Sequence, residues 1–537
     1  MTDQLTPKII GVFQEGYTLS KFKADALAGL TVAIVAMPLS MAIAIASGVG
    51  PDRGLFTAIV GGFLVSLFSG SRYQIGGPAG AFIVLVLATV NRHGLDGLVL
   101  ATAMSGLFLF VAGWLKLGKY IRFIPYPVTV GFTAGIATII FASQIRDLFG
   151  LTIVGKEPGD FLDKMLFLKD YATTANPAAI ALAASTIALI LFLRTFRPTW
   201  PGLLIAVVLA SVVAAVLHLD VETIGSRFGG IPRTLPLPRL PEITVDRLVA
   251  VLPDALSFTL LGAIESLLSA VVADGMSGRR HRSSMELMGQ GLANIGSALF
   301  GGFCVTGTIA RTATNVRAGA VSPVSGMLHA VFILSFMLVA APLASYIPLA
   351  SLAGVLVVVA ANMVETSAIS ALIRSSKGDA LVLVATFLFV VFRDLTEGIL
   401  VGFSLGALLF IDRMGKAVAV NDEVDAPYGP ENAGTLIYHV TGIFFFGAAA
   451  SVSSVLDRVT GHYKTIILDC AAVPYLDSTA AHVIESAVRK AKRQNMRFVI
   501  AGASPAVRHL LETHHVREPD ALYFESAADA QAALALL

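Results

Sequence analysis

Long apolar runs separated by short polar connectors fill the chain from about Asp25 to Asp412. A helix that spans a bilayer needs roughly 20 residues, and several runs approach or reach that length. The first run, Ala26–Ala46, is not followed by a small-residue cleavage site, so we interpret it as a retained span rather than a signal peptide. The clearest other runs are Ala178–Leu193, Gly202–Leu217, Val324–Leu343, and Leu381–Phe392 continuing into Gly398–Phe410.

A different pattern begins after Asn421 and is typical of a soluble domain. Short runs rich in β-branched residues alternate with helical patterns, which predicts a compact α/β domain. The domain has no Gly-rich phosphate loop of the Walker type, so no ATPase is predicted. Ser478 is interpreted as a helix N-cap, with phosphorylation as the alternative. The predicted strands are Leu436–Val440, Thr465–Asp469 and Phe498–Ala501, and the predicted helices are Ser478–Gln494 and Ala506–Thr513.

Composition strengthens the membrane interpretation. Hydrophobic residues make up 55% of the 537 residues and charged residues 14%, with a mean hydropathy of +0.78, whereas a soluble domain carries about 25% charged residues. The net charge of +2 gives no indication of nucleic-acid binding. Cys304 and Cys470 lie in different domains and offer neither a disulfide framework nor a metal motif. We therefore expect a lipid bilayer as solvent, with no metal, no cofactor, no catalytic residues and no enzymatic activity.

Basic residues in the short connectors predict the orientation, because such residues are enriched on the cytoplasmic side. The clusters recur on one side of the alternating spans, which places both termini in the cytoplasm; the inverted orientation is the alternative. The predicted division is an N-terminal cytoplasmic segment at 1–22, a transmembrane domain at 23–414, a linker at 415–434 and a cytoplasmic domain at 435–537. The clusters are Lys8/Lys21/Lys23, Lys116/Lys119/Arg122, Arg194/Arg197, Arg279/Arg280/Arg282 and Arg374/Lys377.

Two apolar segments are interrupted by glycine or proline, and they occupy comparable places in the two halves of the membrane block. They are Ile75–Gly80 and Gly301–Arg311. Interrupted segments in corresponding positions indicate an inverted-repeat transporter with a site near the bilayer midplane. Irregular backbone is tolerated there only inside protein or along a cavity. The alternative is that the glycines merely allow helices to pack closely.

Half-helices that begin at the bilayer centre would point unsatisfied N–H groups and positive dipole ends at one place, which would bind an anion. Glycines on both segments are expected to let the backbone approach the ligand. Two threonine hydroxyls would add donors, and Arg311 would add positive potential. The predicted substrate-binding residues of this site are Gly77, Ala79, Gly80, Thr306, Gly307, Thr308, Ile309, Ala310 and Arg311.

Glu265 is a carboxylic acid within a predicted membrane helix, where an ionisable residue is costly and indicates function. Arg311 is the expected partner. If Glu265 is protonated when an anion arrives, proton and anion move together, so Glu265 is predicted to couple protons to transport. The alternative is a permanent ion pair between Glu265 and Arg311 that only ties two helices together.

Several spaced blocks of this region are similar, in order, to the SulP sulfate-permease family of anion transporters. The similarity runs from about residue 20 to the end and is greatest to the bacterial, proton-coupled C4-dicarboxylate branch, through Ala310–Ala320 and Ser322-Pro323. The C-terminal domain resembles a STAS domain, which is named for its similarity to anti-sigma-factor antagonists. The blocks are Ile264–Leu268, Glu286-Leu287, Gln290–Asn294, Phe300–Gly302 and Thr306–Val316.

The resemblance implies a polytopic α-helical membrane protein with about fourteen transmembrane segments as a 7+7 inverted repeat, divided into core and gate domains. It also implies an anion site between the third and tenth segments, an elevator-like movement of the core, and a homodimer in the inner membrane of a bacterium. Carried over by position, the residues that face the site are Ala36, Leu39 and Ile43 from the first segment, Ala79 and Gly80 from the third, Glu265 from the eighth, and Ala310 and Arg311 from the tenth.

The resulting prediction is a secondary active transporter of small anions, coupled to protons, with a C4-dicarboxylate (succinate, fumarate or aspartate) or sulfate as cargo. A sodium-coupled bicarbonate transporter is one alternative, although that branch has aspartate where Glu265 stands. An anion channel or a membrane sensor of the same fold is another. A cytoplasmic protein partner is expected for the STAS domain.

Overall fold

The chain is described here from a computed structural model. Its described residues are 5–121, 125–154, 157–158, 161–198, 200–393, 395–416, 419–424, 434–446, 449 and 464–534. The backbone separates into two compact units, Met1–Phe403 and Ser404–Leu537. Most of the predicted linker 415–434, and Arg122 of one basic cluster, lie outside the described residues. The limits of the four predicted segments stay a prediction.

The first half of the membrane unit consists mostly of long apolar helices that follow the predicted runs. They are α1 (Lys8–Gln14), α2 (Leu19–Ala46), α3 (Pro51–Phe68), α4 (Ile83–Trp114), α5 (Gly118–Ile121), α6 (Tyr126–Phe149), α7 (Phe161–Asp170), α8 (Pro177–Phe196), α9 (Gly202–Val216) and α10 (Ile224–Phe228). Gly94, with a φ of 69°, breaks α4 into two arms, a backbone conformation that glycine adopts without strain.

The second half repeats this design. Its helices are α11 (Val245–Ser277), α12 (Ser283–Leu299), α13 (Ile309–Arg317), α14 (Val324–Ala344), α15 (Leu349–Met363), α16 (Thr366–Ser375), α17 (Lys377–Phe392) and α18 (Leu395–Lys416). Between α3 and α4 lies strand β1 (Gly76–Gly77), and between α12 and α13 lies strand β2 (Thr306–Gly307).

These helices give fourteen membrane segments within the described residues. Nine stretches are long and apolar enough to cross a membrane by length and composition. One of them, Gly80–Trp114, counts as two segments because α4 is broken at Gly94, and the shorter helices α9, α12, α13 and α17 supply the others. In each set of seven, the third segment is a helix that follows a two-residue strand. Seven is odd, so the second set crosses in the opposite direction; the predicted polytopic helical fold is confirmed.

Hydrogen bonds between connectors define the two faces of the membrane unit. On one face, Arg282 donates from Nη1 to the carbonyl of Thr6 (2.8 Å) and from its backbone N–H to the carbonyl of Gly70 (2.9 Å). On the other, Arg53 Nη1 donates to the carbonyl of Gly301 (2.7 Å). We call the face that carries Thr6 the inner face and the face that carries Gly301 the outer face.

The helices pack in two groups. The core group consists of α2, α3, α4, α11, α12, α13 and α14, which pack chiefly on one another; α6, α8, α9, α15 and α17 form the gate group. Glycines set the distance within the core group: a Cβ atom at Gly291 of α12 would lie 2.5 Å from the carbonyl oxygen of Gly106 on α4. A Cβ atom at Gly29 of α2 would lie equally close to the carbonyl oxygen of Ser325 on α14. Both crossings bring helices of the two repeats into backbone contact.

The C-terminal unit is an α/β domain around a five-stranded sheet. The strand order is β3-β4-β5-β6-β7; β3 is antiparallel to β4, and the other neighbours are parallel. Helices α19 and α20 cover one side of the sheet and α21 the other. The elements are β3 (Ala419–Val424), β4 (Thr435–Thr441), β5 (Thr465–Ala472), α19 (Ser478–Arg493), β6 (Arg497–Ala501), α20 (Pro505–Thr513), β7 (Leu522–Phe524) and α21 (Ala527–Leu534).

The N-cap of α19 is Asp477, so the interpretation of Ser478 as the cap is wrong by one residue. The Asp477 carboxylate accepts from the backbone N–H of Ala480 (2.8 Å) and from that of Phe446 (3.0 Å). A carboxylate can satisfy both donors at once, which a single hydroxyl does less well. Ser478 is the first residue of the helix and is exposed.

We expect Gly291→Ala to lower the thermal unfolding midpoint of the purified full chain in detergent. The new methyl group would also lie 2.6 Å from the backbone nitrogen of Phe110, and because both neighbours are backbone atoms they cannot move aside singly. Overpacking of this kind costs about 1–3 kcal/mol of unfolding free energy. Gly275→Ala in α11 is the matched control, since nothing lies within 4 Å of its Cβ position. Equal midpoints for the two variants would contradict the close crossing.

Candidate functional site

The two interrupted segments meet at a pair of short strands in the membrane unit. Strands β1 and β2 are antiparallel, with Gly76 opposite Gly307 and Gly77 opposite Thr306. A 3₁₀ turn at Gly80–Phe82 leads from β1 into α4, and α13 starts two residues after β2. The structure therefore brings the two predicted half-helices together with their N-termini beside the same strand pair.

Polar side chains form hydrogen bonds with backbone N–H and carbonyl groups on both sides of this strand pair. Asn294 Nδ2 donates to the carbonyl of Val305 (2.8 Å), and the Val305 N–H donates to Asn294 Oδ1 (3.0 Å). The Ile75 N–H donates to Thr312 Oγ1 (3.1 Å). A buried backbone group without a partner is costly, so these side chains allow an irregular backbone to exist here. The sequence reasoning assigned no role to Asn294 or Thr312, although an amide on the helix before the interruption was a usable signal.

Several predicted donors are already engaged within the protein. The Gly307 N–H donates to Ser266 Oγ (3.4 Å), and the Thr308 N–H donates to the carbonyl of Ile75 (3.0 Å). The hydroxyls of Thr306 and Ser266 share a hydrogen bond of 2.7 Å, and that of Thr308 points to the Ile75 carbonyl (3.4 Å). These groups hold β2 in place instead of facing an open space.

The first turn of α13 is more open than the strand that precedes it. Ile309 is 39% exposed and Ala310 is also exposed, whereas Arg311 is buried. The first N–H groups of a helix have no partner within the helix, and no side chain of the N-cap Thr308 accepts from them. The N–H groups of Ile309 and Ala310 are thus the predicted donors that best fit a ligand.

The strand glycines make room for side chains. A Cβ atom at Gly77 would overlap Nη1 of Arg311, and one at Gly307 would overlap the amide of Gln74. Gln74 Nε2 donates to the carbonyl of Ser266 (2.9 Å), which ties β1 to α11. Gly77 and Gly307 therefore admit a guanidinium and an amide, and their predicted role in letting the backbone approach a ligand stays a prediction.

Arg311 carries a buried positive charge with no acidic partner in the described part of the chain. Its side chain is 2% exposed. Nη2 donates to Ser40 Oγ and to the carbonyl of Pro78, both at 3.2 Å. Nε and Nη1 are buried and have no hydrogen-bond partner among the described residues. An anion placed against either nitrogen would supply a missing acceptor.

Glu265 lies on α11, one residue before Ser266, and is half-buried. The expected ion pair with Arg311 is absent from the described ion pairs and hydrogen bonds, because the guanidinium extends over the bare Gly77 toward Ser40 instead. Among the described residues, Glu265 forms neither a hydrogen bond nor an ion pair of its own. Its coupling role stays a prediction.

The first-segment residues lie on the face of α2 that adjoins this cluster. Ala36, Leu39 and Ile43 are buried in the main apolar core. Ser40, whose hydroxyl also donates to the Ala36 carbonyl (2.7 Å), is the residue of α2 that contacts Arg311. Sequence reasoning missed Ser40, although it was the one hydroxyl beside Leu39.

The predicted residues after β1 face the gate group. Ala79 is buried. A Cβ atom at Gly80 would lie 3.1 Å from Ile140 Cδ1 on α6 and 3.9 Å from Met363 Sδ on α15. The core group therefore carries the strand pair and Arg311, and Gly80 is the point where this site touches the gate group.

Comparison with known families shows two matches on this chain. Residues 22–386 match the sulfate permease family, and residues 428–528 match the STAS domain. The two matches follow the membrane unit and the α/β domain in order.

Individual relatives agree over nearly the full length. YvdB of Bacillus subtilis, provisionally named as a sulfate transporter, is 43% identical over 501 residues, covering 93% of this chain and 94% of YvdB. BicA of a Picosynechococcus species, named as a bicarbonate transporter, is 31% identical over 518 residues, covering 91% and 90%. The structure of the murine anion transporter Slc26a9 in an inward-facing state superposes with a TM-score of 0.87 at 17% identity, covering 99% of this chain and 94% of that one.

Asn294→Ala is expected to destabilise the strand crossing strongly. It would leave both the N–H and the carbonyl of Val305 buried without partners, and each such group costs about 1–3 kcal/mol. Thermal unfolding of the full chain in detergent measures the loss. Asn362→Ala, at an exposed position, is the control and should leave the midpoint within a degree or two of wild type, as surface substitutions do. Similar midpoints for both variants would show that Asn294 does not hold the crossing.

Proposed function

This chain belongs to the sulfate permease family, and we propose that it is a secondary active transporter of small anions. The family is one of membrane transporters, and the chain is a multi-pass membrane protein with a C-terminal STAS domain. Besides the family, one structural observation supports anion binding by this chain: the buried guanidinium of Arg311 lacks an anionic partner among the described residues.

The energetics of that guanidinium favour an anion as the ligand. Removing an ion from water costs several kcal/mol even after the protein relaxes, and an opposite charge with good hydrogen bonds offsets this cost. Nε and Nη1 of Arg311 lie on different edges of the guanidinium, and each can donate a charge-assisted hydrogen bond to a carboxylate or an oxyanion. The free N–H groups at the start of α13 add donors and the positive end of a helix dipole. Arg311, Ile309 and Ala310 are therefore the main proposed ligands.

The proposed cargo is a C4-dicarboxylate such as succinate, fumarate or aspartate, or else sulfate. The name of YvdB supports sulfate. The name of BicA supports bicarbonate as the second candidate. All three ligand types present oxygen atoms with negative charge, which backbone donors and a guanidinium bind by shape and charge.

Glu265 is proposed to couple transport to protons. A carboxylate close to an anion site would repel the cargo, so its protonation would favour loading and would carry one proton with the anion. The absence of a described ion pair at Glu265 supports this role over that of a permanent helix tie. Sodium remains the alternative coupling ion.

Transport is proposed to follow an elevator-like movement of the core group against the gate group. Support comes from the packing: both half-helices and Arg311 belong to the core group, and Gly80 meets only the flexible ends of Ile140 and Met363 across the boundary. The likeness to murine Slc26a9 supports the fold on which such a movement would act.

The inner face is proposed to be cytoplasmic, with both termini on that side of a bacterial inner membrane. Basic residues are enriched in cytoplasmic connectors, and Arg279, Arg280 and Arg282 lie together between α11 and α12 on the inner face. A homodimer and a cytoplasmic partner of the STAS domain are further proposals that follow the family resemblance.

Arg311→Gln is expected to weaken anion binding at least tenfold, because the charge and the unpartnered guanidinium donors are lost together. Binding of sulfate and of succinate to purified protein, measured by calorimetry, tests this. Arg317→Gln is the matched control, as Arg317 lies in the last turn of the same helix and is exposed. Unchanged affinity in Arg311→Gln, with intact thermal stability, would remove Arg311 from the site.

Glu265→Gln is expected to abolish uptake driven by a pH gradient and to leave equilibrium anion binding largely intact. A permanently neutral side chain still permits loading but cannot release a proton. Uptake into proteoliposomes and binding to purified protein are the two measurements, with Glu365→Gln, an exposed position, as control. Loss of binding together with uptake would indicate a structural role for Glu265.

The proposed function as a whole is tested with wild-type proteoliposomes. Radiolabelled sulfate, bicarbonate, succinate, fumarate and aspartate are each offered with a proton gradient, with a sodium gradient and with neither. Saturable, gradient-driven uptake of one of these anions is the expected result. A non-saturating flux that follows voltage alone would identify a channel instead.

A further inference from the structure

A cavity of about 460 Å³ opens between the core and gate groups toward the outer face. Its walls come from the first arm of α4, from α6, from α7 and from the end of α17. Ile83, at one end of the cavity, directly follows the 3₁₀ turn of the candidate site. Arg92, at the other end, lies roughly 13 Å farther along α4, given the helical rise per residue. The cavity thus leads from the outer face toward Gly80.

The ionisable residues that line this cavity are mostly basic. Among the described lining residues, Arg92, Lys164 and Arg393 are cations and Glu157 is the one acid. They lie toward the outer end, whereas the inner end is apolar, with Ile83 among its residues. The charge therefore sits where a solute from the outer solution would first arrive.

Two of the three cations are paired with acids that do not line the cavity. Arg92 Nη2 lies 2.6 Å from Asp254 Oδ1, and the Arg92 side chain remains 54% exposed. Arg393 Nε lies 3.3 Å from Glu397 Oε2 on the surface. Each guanidinium has five N–H donors, so one such contact leaves others available to the cavity.

The third cation shares its acid with a second base. Lys164 Nζ lies 3.0 Å from Glu157 Oε2, and Arg146 Nη1 lies 3.1 Å from Glu157 Oε1. Burial alone would raise the pKa of Glu157, but the charges and hydrogen bonds of Lys164 and Arg146 outweigh it and hold that pKa below its ordinary value. Glu157 is therefore ionised at neutral pH, and one negative charge faces two positive ones.

We propose that this cavity is an anion-collecting site on the outer face, which concentrates small carboxylates or oxyanions before they reach Arg311. A cleft in which one sign of charge predominates, with apolar walls, raises the local concentration of the opposite ion and its association rate. The apolar inner end separates this site from Gly80 in the present conformation. The identity of the solute rests on the proposed function, whereas the positive potential of the cavity does not.

The electrostatic potential of the cavity is measured first, in an assay that does not depend on transport. Ala88, which lines the cavity, is replaced by cysteine in the full chain, and Ala172→Cys, at an exposed position after α7, is the reference. The native Cys304 and Cys470 are buried. Anionic and cationic methanethiosulfonates, both membrane-impermeant, are applied from the outer face in vesicles of phosphatidylcholine, so that no anionic lipid headgroup contributes.

For each cysteine we take the ratio of its reaction rate with the anionic reagent to its rate with the cationic reagent. This ratio is expected to be about tenfold higher at Ala88→Cys than at Ala172→Cys, and the ratio at Ala88→Cys is expected to fall with salt as screening increases. Adding Arg393→Glu should lower the ratio, and adding Lys169→Glu, an equal charge change at an exposed position of α7 outside the cavity, should not. Both are surface positions, so folding is not at risk. Equal ratios at the two cysteines, or no reaction at Ala88→Cys, would overturn the proposal.

The second measurement follows uptake of radiolabelled sulfate and succinate from the outer side. Arg393→Glu should raise the half-saturating outer concentration about tenfold at low ionic strength and leave the maximal rate unchanged. Lys169→Glu should change neither quantity. An identical effect of both substitutions would refute a role of the cavity in loading. If the wild type carries no anion of any kind, the proposed function fails, while the rate ratio still decides whether the cavity attracts anions.

Discussion

The architecture of the membrane unit depends on one constraint: backbone groups at membrane depth must find partners within the protein. Two helices are interrupted there, and each interruption leaves N–H and carbonyl groups without helical partners. The pairing of β1 with β2 satisfies some of them, and Asn294 and Thr312 satisfy others. The close crossing of α4 with α12 holds in place the helix that carries Asn294, whereas Thr312 lies in the first turns of α13, directly after β2.

Arg311 is the buried cation of this region, and two of its nitrogens have no hydrogen-bond partner among the described residues. The strand pair provides space for it above Gly77, and Ser40 and Pro78 occupy only Nη2. A protein that stabilised only itself would pair or remove a buried charge of this kind. The remaining donors therefore point to a ligand, and the half-helix of α13 adds its own. Glu265, half-buried on the adjoining α11 and unpaired among the described residues, is the group for which we propose proton coupling.

Much of this could be predicted from the sequence because bilayer physics leaves strong patterns. Apolar runs gave the spans, and the glycine-rich interruptions gave the location of the crossing. The details were less accessible, since they depend on residues far apart in sequence that meet only after folding. Gly77 is predicted to expose backbone, and the structure adds that it admits the Arg311 side chain. The predicted Glu265–Arg311 pair depends on which groups Arg311 reaches after folding, and these include Ser40. The N-cap at Asp477 in place of Ser478 is a local difference: either residue type can cap a helix, and the Asp477 carboxylate also accepts from the N–H of Phe446.

The strand pair also has a consequence for how the chain is made. Ile75 and Thr312, which share a hydrogen bond across the crossing, are 237 positions apart. During synthesis, β1 therefore leaves the ribosome long before β2 exists, and closing so long a loop is slow. The first interrupted segment cannot rest in lipid with its backbone unsatisfied. The segment therefore reaches its final hydrogen-bonded position only after the second repeat has been translated.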